Sequence, residues 1–447
     1  MKTSVVILAA GKGTRMHSEL PKVLHPILGQ PLIQYSVAVA QSVAQSPPVL
    51  VVGHAAEKVR AAVAEAAEYV LQEPQLGTGH AVQQAETRLR GKSEYVLILY
   101  GDMPLVTAET VQKLLDVQKN HIGPISVLTL ISDDPRGFGR IVRGEDGSVR
   151  AIVEEAQATP EEIAIKELNT GVFCFSADWL WDALKRVELS PKGEYYLTDL
   201  VSIAVKEGRS VRAIPATDET EMIGINTRVH LSDAAANMQQ RINRAWMLAG
   251  VTLQDPATTY IEPTVQIGRD TVIAPNTHLI GSTEIGTACI IGPNTFIRDS
   301  KLGDRCEVFA SVVEAALLED DVDIGPFAHL RKGAHLAAGV HMGNFGEVKN
   351  SYLGPGTKMG HFSYLGDTTT GARVNIGAGT ITCNYDGEHK HPTEIADDVF
   401  IGSDTMLVAP LKIGAGARTG AGSVVTKTVA EKTLVVGMPA RAIRKLD

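Results

Sequence analysis

Chemistry-bearing residue types collect in three stretches of this sequence. The first is Leu8-Ala-Ala-Gly-Lys-Gly-Thr-Arg-Met16, with Lys22 following in Leu20-Pro-Lys-Val23. Gly11 and Gly13 would let backbone N–H groups approach a phosphate, and Arg15 and Lys22 would add two placed cations. The third glycine of a dinucleotide fingerprint is missing and no G-x-x-x-x-G-K-[ST] occurs, so a tight structural turn is an equal reading. The second stretch is Tyr100-Gly-Asp-Met-Pro104, directly after the apolar run Tyr95–Leu99. A carboxylate just beyond a buried strand is placed to hold Mg2+ against substrate phosphates, or else to cap the helix predicted from Thr107. The third joins Arg331 and Lys349 to His361-Phe-Ser-Tyr364, Asn375-Ile-Gly-Ala-Gly-Thr380 and Asn384-Tyr-Asp-Gly387. His361 is the residue of that cluster able to act as a base near neutral pH, although a lone histidine is often structural.

Two kinds of framework must position these groups. From Met1 to about Ile225, short apolar runs (Ser4–Ala9, Val49–Gly53, Tyr95–Leu99, Ile125–Leu130) alternate with helical stretches. Those stretches are Leu32–Gln45, Ala55–Ala67, Gly79–Leu89 and Thr107–Asn120. The alternation predicts βαβ units and a mostly parallel, doubly wound, Rossmann-like sheet. Residues 227–250 read as one long connecting helix closed by Gly250. After Asp255 aliphatic residues recur every six positions: Ile261, Ile267, Ile273, Leu279, Ile285, Ile291, Ile297. After one slip the period resumes at Ile324, Leu330, Leu336, Met342 and Val348, then again at Ile395, Ile401, Leu407 and Ile413. A hexapeptide period predicts a parallel β-helix with three hexapeptides to a coil. The expected architecture is therefore α/β plus all-β, divided as 1–226, 227–250 and 251–447.

The coil has a geometric consequence. Residues 18 apart, such as Arg331 and Lys349, lie one coil apart, separated by about 4.8 Å. Two stacked cations either share an anion or diverge into solvent. His329, His335 and His341, spaced by six, fall on three successive faces and cannot share one metal within a chain. Between about Thr380 and Pro392 the period is interrupted by a polar segment, read as a projecting loop.

Composition narrows the function class. The 447 residues suit two or three domains, and 44% hydrophobic with 21% charged residues is ordinary for a globular chain. A net charge of -9, with no basic patch interleaved with aromatics, argues against a nucleic-acid partner. Four scattered cysteines without a C-x-x-C pair point to a reducing cytoplasm rather than a disulfide framework. No apolar stretch approaches the roughly 18 residues that cross a bilayer, so no membrane partner is expected. The six-residue run Val5–Ala10 is also too short for a secretory signal.

Leu8-Ala-Ala-Gly-x-Gly-Thr-Arg-Met16 with Pro21-Lys22, Leu76-Gly-Thr-Gly79 and Tyr100-Gly-Asp102 resembles nucleotidyltransferases that activate sugar 1-phosphates. With the hexapeptide repeat added, nearly the whole chain resembles the bifunctional N-acetylglucosamine-1-phosphate uridyltransferase/glucosamine-1-phosphate N-acetyltransferase family. The resemblance implies a left-handed β-helix, a homotrimer, and the making of UDP-N-acetylglucosamine for cell-envelope polymers. It implies that Leu8, Ala9, Ala10, Gly11, Arg15 and Lys22 hold the nucleotide and that Gln72, Gly77 and Thr78 read the uracil of UTP. Tyr100, Gly101, Asp102, Gly139, Glu154 and Asn169 would line the sugar and ribose, and Asp102 and Asn226 would hold Mg2+. In the other half His361 would be the base that helps glucosamine 1-phosphate attack acetyl-CoA. Arg331, Lys349, Tyr364, Asn375 and Lys390 would meet the amino-sugar phosphate; Ala378, Asn384, Tyr385, Ser403 and Ala421 would meet acetyl-CoA. Two departures stand out: Glu154-Glu-Ala-Gln-Ala158 lacks the family's Lys-Asp pair, and Val435-Val-Gly-Met-Pro-Ala-Arg441 replaces the tail carrying a late CoA-binding arginine. Arg441 or Arg444 could take its place. The rival reading is a single-activity sugar-1-phosphate nucleotidyltransferase whose β-helix only oligomerises or regulates. A non-enzymatic β-helix assembly module is the reading from another class.

Overall fold

In the computed structural model, which describes residues 2–135 and 137–445, the chain divides into two compact units, Met1–Met238 and Gln239–Asp447. The first is built around a mixed sheet. Its opening strand, Thr3–Ala9, is buried at every residue, as a strand covered on both faces must be. Parallel partners flank it, Val49–Val52 on one side and Tyr95–Tyr100 on the other. The chain thus winds outward through Val49–Val52 to Glu68–Leu71, then returns to the opposite side of its first strand. The loops after Thr3–Ala9 and Tyr95–Tyr100 therefore open at a point where the winding reverses, the usual place for a ligand in such sheets.

Two strands run against the rest among the described residues, Glu167–Ser176 and Val149–Val153. Glu167–Ser176 lies antiparallel between Tyr95–Tyr100 and Ile125–Ile131, with Val211–Pro215 beyond them at the edge. Its pairing with Ile125–Ile131 slips between Asn169 and Phe173, a bulge that re-aims the side chains around it. The helices form where the sequence pattern places them, at Leu32–Val43, Ala56–Val63, Thr78–Gln84 and Ala108–Lys119. Thr107, not Asp102, caps the last of these: its hydroxyl accepts from Thr110 N at 3.2 Å, and the buried Glu221 carboxylate accepts from Thr107 N at 3.1 Å. Asp102 is thereby free for other work.

The long helix runs Arg228–Leu248, and the division between the units falls inside it. The helix stops at Leu248, two residues short of Gly250, which holds φ 96. Within the second unit, the amides of Gln239 and Asn243 each donate to the Thr259 carbonyl at 2.9 Å, while Ile242 and Trp246 pack on the β-helix core.

That second unit is a parallel β-helix with three faces among the described residues. Ile267 pairs with Ile285, Ile273 with Ile291 and Leu279 with Ile297, each one coil apart. All six are buried, so the six-residue period is a stack of inward aliphatics. The second inward position, two residues earlier, takes threonine: Thr271, Thr277 and Thr283 are buried. Their hydroxyls satisfy themselves on backbone, Thr277 on Ala274 O at 2.8 Å and Thr283 on Ile280 O at 2.7 Å. The slip read from the sequence is a run of shortened turns, with Leu302, Val308, Val313, Leu318 and Ile324 still filling the axis at steps of five or six. Each turn loses only outward residues, so the core column is unbroken.

Candidate functional site

In the first unit a cavity of about 470 Å³ opens where the winding reverses. Its lining includes Leu8, Ala9, Ala10, Gly11, Lys22, Gln72, Gly77, Thr78, Tyr100, Asp102, Gly139, Glu154, Asn169 and Asn226. Two predicted residues lie off it. Arg15 is exposed in the single turn Thr14–Met16. Gly101 is buried behind, its N–H donating to Leu8 O at 3.0 Å, where a Cβ would strike Ile33 Cδ1 at 2.5 Å. The glycine loop leads into that short turn and not into a long helix, so cationic side chains rather than a helix dipole must supply the charge.

Three side chains meet at one end of the cavity. The Lys22 ammonium forms a close ion pair with the Asp102 carboxylate and donates to Asn226 Oδ1 at 3.0 Å. The segment carrying Asn226 is tied to Asp102 by its own backbone, Ile225 N donating to Asp102 O at 3.0 Å. A carboxylate and an amide carbonyl thus converge on a cation. Both are hard oxygen donors of the kind Mg2+ takes, and two protein ligands leave room for water and phosphate oxygens. Among the described residues no group of three or more His, Cys, Asp or Glu could form an all-protein metal cage.

Toward the other wall, Glu154 accepts from Thr198 Oγ1 at 2.9 Å. Burial pushes the Glu154 carboxyl above its ordinary range, with the Thr198 hydrogen bond working against it. Burial likewise pushes the Tyr100 phenol up, helped by the charges of Glu154 and Asp102. Gly171, at φ 84, gives the Tyr100 ring its space: a Cβ there would lie 2.7 Å from the ring. Asn169 sits at the start of the bulge, its Oδ1 accepting from Gly171 N at 3.0 Å. The lining also holds Tyr196, Leu197 and Thr198, which the sequence reading passed over. The run Glu194-Tyr-Tyr-Leu-Thr-Asp199, aromatic and polar at once between two helical stretches, was the available signal.

On the β-helix the candidates occupy one face, its two corners and the next face. His361 is exposed on the corner between Lys358–Met359 and Ser363–Gly366. Gly343 lets the coil below approach that corner, since a Cβ would sit 2.0 Å from Gly360 O. Successive corners are tied by backbone: Gly379 N donates to Phe362 O at 2.7 Å, Asp404 N to Ala378 O at 2.6 Å and Gly422 N to Ser403 O at 2.8 Å. His361, Ala378, Ser403 and Ala421 therefore form one column.

At the opposite end of that face, Arg331 and Lys349 stack one coil apart, Arg331 N donating to Val348 O at 2.9 Å. They do not diverge. Contact with Lys390, then the charge of Arg331, pushes the Lys349 ammonium below its ordinary range, with Asp367 working against it, while Arg331 is itself ion-paired with Glu347 at 2.7 Å. Lys390 reaches them from the predicted loop, which is pinned by a Tyr385–Lys390 bridge. Chain in the coil continues to Cys383, so that loop starts later than the sequence suggests. Asn384 donates to Asp367 Oδ2 at 2.6 Å and lies beside the Tyr364 hydroxyl at Gly366. Asn384 and Tyr385 thus stand with the cation cluster, apart from the Ala378–Ser403–Ala421 column. Asn375 is on the next face, paired with Lys358 and Phe400. His329, His335 and His341 each sit on a different face, bonded to Glu314, Glu319 and Asp323.

Residues 5–140 match the MobA-like NTP transferase domain, and residues 264–299 match the bacterial transferase hexapeptide. The chain is 48% identical to the bifunctional protein GlmU of Exiguobacterium sp., over 98% of this chain and 97% of that protein. It is 46% identical to that of Heliobacterium modesticaldum, over 97% and 95% of the two chains. Against that of Streptococcus thermophilus it is 43% identical over 98% and 95%. A solved CMP:2-keto-3-deoxy-manno-octonic acid synthetase complexed with CTP overlaps 54% of this chain and all of that one, at 20% identity and a TM-score of 0.43.

Proposed function

Because the chain belongs to the family of bifunctional GlmU proteins, an acetyltransferase and uridyltransferase in one polypeptide, we infer that each compact unit carries one of the two reactions. In the β-helix unit, glucosamine 1-phosphate attacks the thioester of acetyl-CoA, forming the amide and releasing CoA. His361 takes the proton from the attacking amine. Arg331, Lys349 and Lys390 hold the phosphate, whose charge relieves the crowding of Lys349 by Lys390 and Arg331. Tyr364 and Asn375 orient the sugar; Ala378, Asn384, Tyr385, Ser403 and Ala421 receive acetyl-CoA.

In the α/β unit, the phosphate of N-acetylglucosamine 1-phosphate attacks the α-phosphorus of UTP, pyrophosphate leaves, and UDP-N-acetylglucosamine forms. No protein nucleophile is needed, so positioning and charge neutralisation carry the step. Leu8 to Gly11 and Lys22 cradle the nucleotide, with Arg15 at the mouth; Gln72, Gly77 and Thr78 face the base. Tyr100, Gly101, Gly139, Glu154 and Asn169 surround sugar and ribose. The family requires a divalent metal, and we assign Mg2+ between Asp102 and Asn226, where it would neutralise phosphate charge. The observation that carries this half is the convergence of Asp102 and Asn226 on the Lys22 cation. Pyrophosphate release from UTP and N-acetylglucosamine 1-phosphate tests it: Asp102→Ala abolishes release, and full activity in that variant would overturn the assignment.

A homotrimer is the assembly we assign to the β-helix. The candidates for one acetyl-transfer site are split between two faces that meet at an outward edge, so a neighbouring copy must complete it. That edge carries Phe327, Phe345 and Phe362, exposed at 60%, 58% and 54%. Phe327 and Phe345 stack at 5.3 Å and hold φ of 60 and 58, a costly conformation for an aromatic residue left in water. The cytoplasm is the compartment we assign, on four cysteines that are all free. Among the described residues no helix is long and apolar enough to cross a membrane.

A further inference from the structure

If Gln72 faces the base of a uridine nucleotide, as the proposed function has it, the surroundings of its amide decide how the cavity tells one base from another. Gln72 is only 4% exposed yet lines the cavity. Its Nε2 donates to the Gly77 carbonyl at 2.9 Å. A carbonyl only accepts, so this contact fixes which way the amide is turned. The same nitrogen lies 3.2 Å from His80 Nδ1. An amide nitrogen cannot accept, so Nδ1 must be the bare acceptor and the imidazole neutral, with its proton on Nε2.

Both amide hydrogens are then spent inside the protein. What Gln72 can offer a ligand is Oε1, which is not among the buried polar atoms lacking a partner. The two acceptors that hold the amide are themselves held. Gly77, at φ 95, could carry no side chain, because a Cβ would meet Tyr195 O at 2.7 Å. Its loop is zipped to Tyr195 by two backbone bonds of 2.8 Å, from Gly79 N and to Leu76 O. His80 stands in the helix Thr78–Gln84, its carbonyl accepting from Gln84 Nε2 at 3.0 Å and its ring 6.4 Å from that of Tyr195. It is behind Gln72 and outside the cavity lining.

We propose that His80 is a positioning residue for base selection: it locks the Gln72 amide so that a pure acceptor, Oε1, faces the cavity. Uracil carries an N–H at ring position 3 and can donate to it. Cytosine carries a lone pair at that position and meets acceptor with acceptor. Without His80 one amide hydrogen loses its partner, the Gly77 carbonyl alone holds the amide, and Oε1 is no longer fixed squarely toward the base. Selection against cytosine then weakens, while the sugar-phosphate contacts on the other wall are untouched.

The test is the ratio of kcat/KM for UTP to that for CTP in the full-length protein, with Mg2+ and N-acetylglucosamine 1-phosphate. His80→Leu removes the acceptor and is expected to lower the ratio about tenfold, the worth of one hydrogen bond in a polar site. His80→Asn, whose amide oxygen can stand where Nδ1 stood, is expected to keep it. KM for N-acetylglucosamine 1-phosphate and the acetyl-transfer rate should not move in either variant. An unchanged ratio in His80→Leu overturns the proposal, as does an equal loss of both nucleotides. If the unsubstituted protein turns over neither nucleotide, it is the reading of the cavity that fails.

Discussion

The two units solve the placement of reactive groups in opposite ways. In the α/β unit the groups come from segments far apart in sequence, Leu8, Lys22, Asp102, Glu154 and Asn226, and converge on one cavity within a single chain. In the β-helix the groups come from consecutive coils and are laid out along faces and corners of a convex prism. A doubly wound sheet makes a concavity where its winding reverses. A prism offers only open hollows, such as the one lined by Arg331, Lys332 and Lys349, and the proposed homotrimer would close its site with another surface. The difference teaches that one reaction should survive when the chain is alone and the other should not.

Substitutions should separate the units cleanly. Asp102→Ala is expected to lower uridyl transfer by at least about a thousandfold, because it removes the carboxylate that gathers charge at the phosphates. CoA release should be unchanged, and a chelator should reproduce the split without any substitution. His361→Ala should do the converse, lowering acetyl transfer by about a hundredfold to a thousandfold while pyrophosphate release continues. Loss of both activities in either variant would mean that the units do not act separately.

A surface substitution sharpens the contrast further. Phe327→Ser with Phe345→Ser removes the stacked pair on the outward edge. If a second copy covers it, association weakens about tenfold or more, as for truncation of a central interface aromatic. Sedimentation velocity should then show smaller species, with acetyl transfer falling in step and uridyl transfer holding. A trimer that persists with full acetyl transfer would place the interface elsewhere.

The smallest effect is a pH dependence confined to the first unit. Burial raises the folded-state pKa of Glu154 above its unfolded value. A carboxyl raised in this way favours folding below its unfolded pKa, and that contribution is lost as pH rises through the raised value. Glu154→Gln removes the dependence. Thermal unfolding of the first unit should therefore be less sensitive to rising pH in the variant, with the variant at least as stable near neutrality.

Much of this was legible because periodicity and strand ends are local. The six-residue spacing from Ile261 to Ile297 forces the β-helix, and Asp102 after a buried strand marks the cavity. Other features depend on distant pairing. Glu167–Ser176 was not marked out as a strand, and its reversed direction is set by neighbours remote in sequence. Thr198 belongs to the cavity because it reaches Glu154, 44 residues away, and no spacing rule announces that contact. The stacking of Arg331 on Lys349 followed from coil length, whereas the approach of Lys390 needed the loop's actual course. Arg15 was marked out by its residue type, whereas its exposed place in the turn Thr14–Met16, outside the lining, could not be read from the sequence.

The most direct test of one reaction in each unit is a mass-spectrometric time course of the sugar phosphates. Glucosamine 1-phosphate, acetyl-CoA, UTP and Mg2+ are supplied together, and then each is omitted in turn. The account predicts UDP-N-acetylglucosamine only when acetyl-CoA is present, and N-acetylglucosamine 1-phosphate accumulating when UTP is left out. Product that forms only from ready-made N-acetylglucosamine 1-phosphate would contradict it, and would reduce the β-helix to a scaffold.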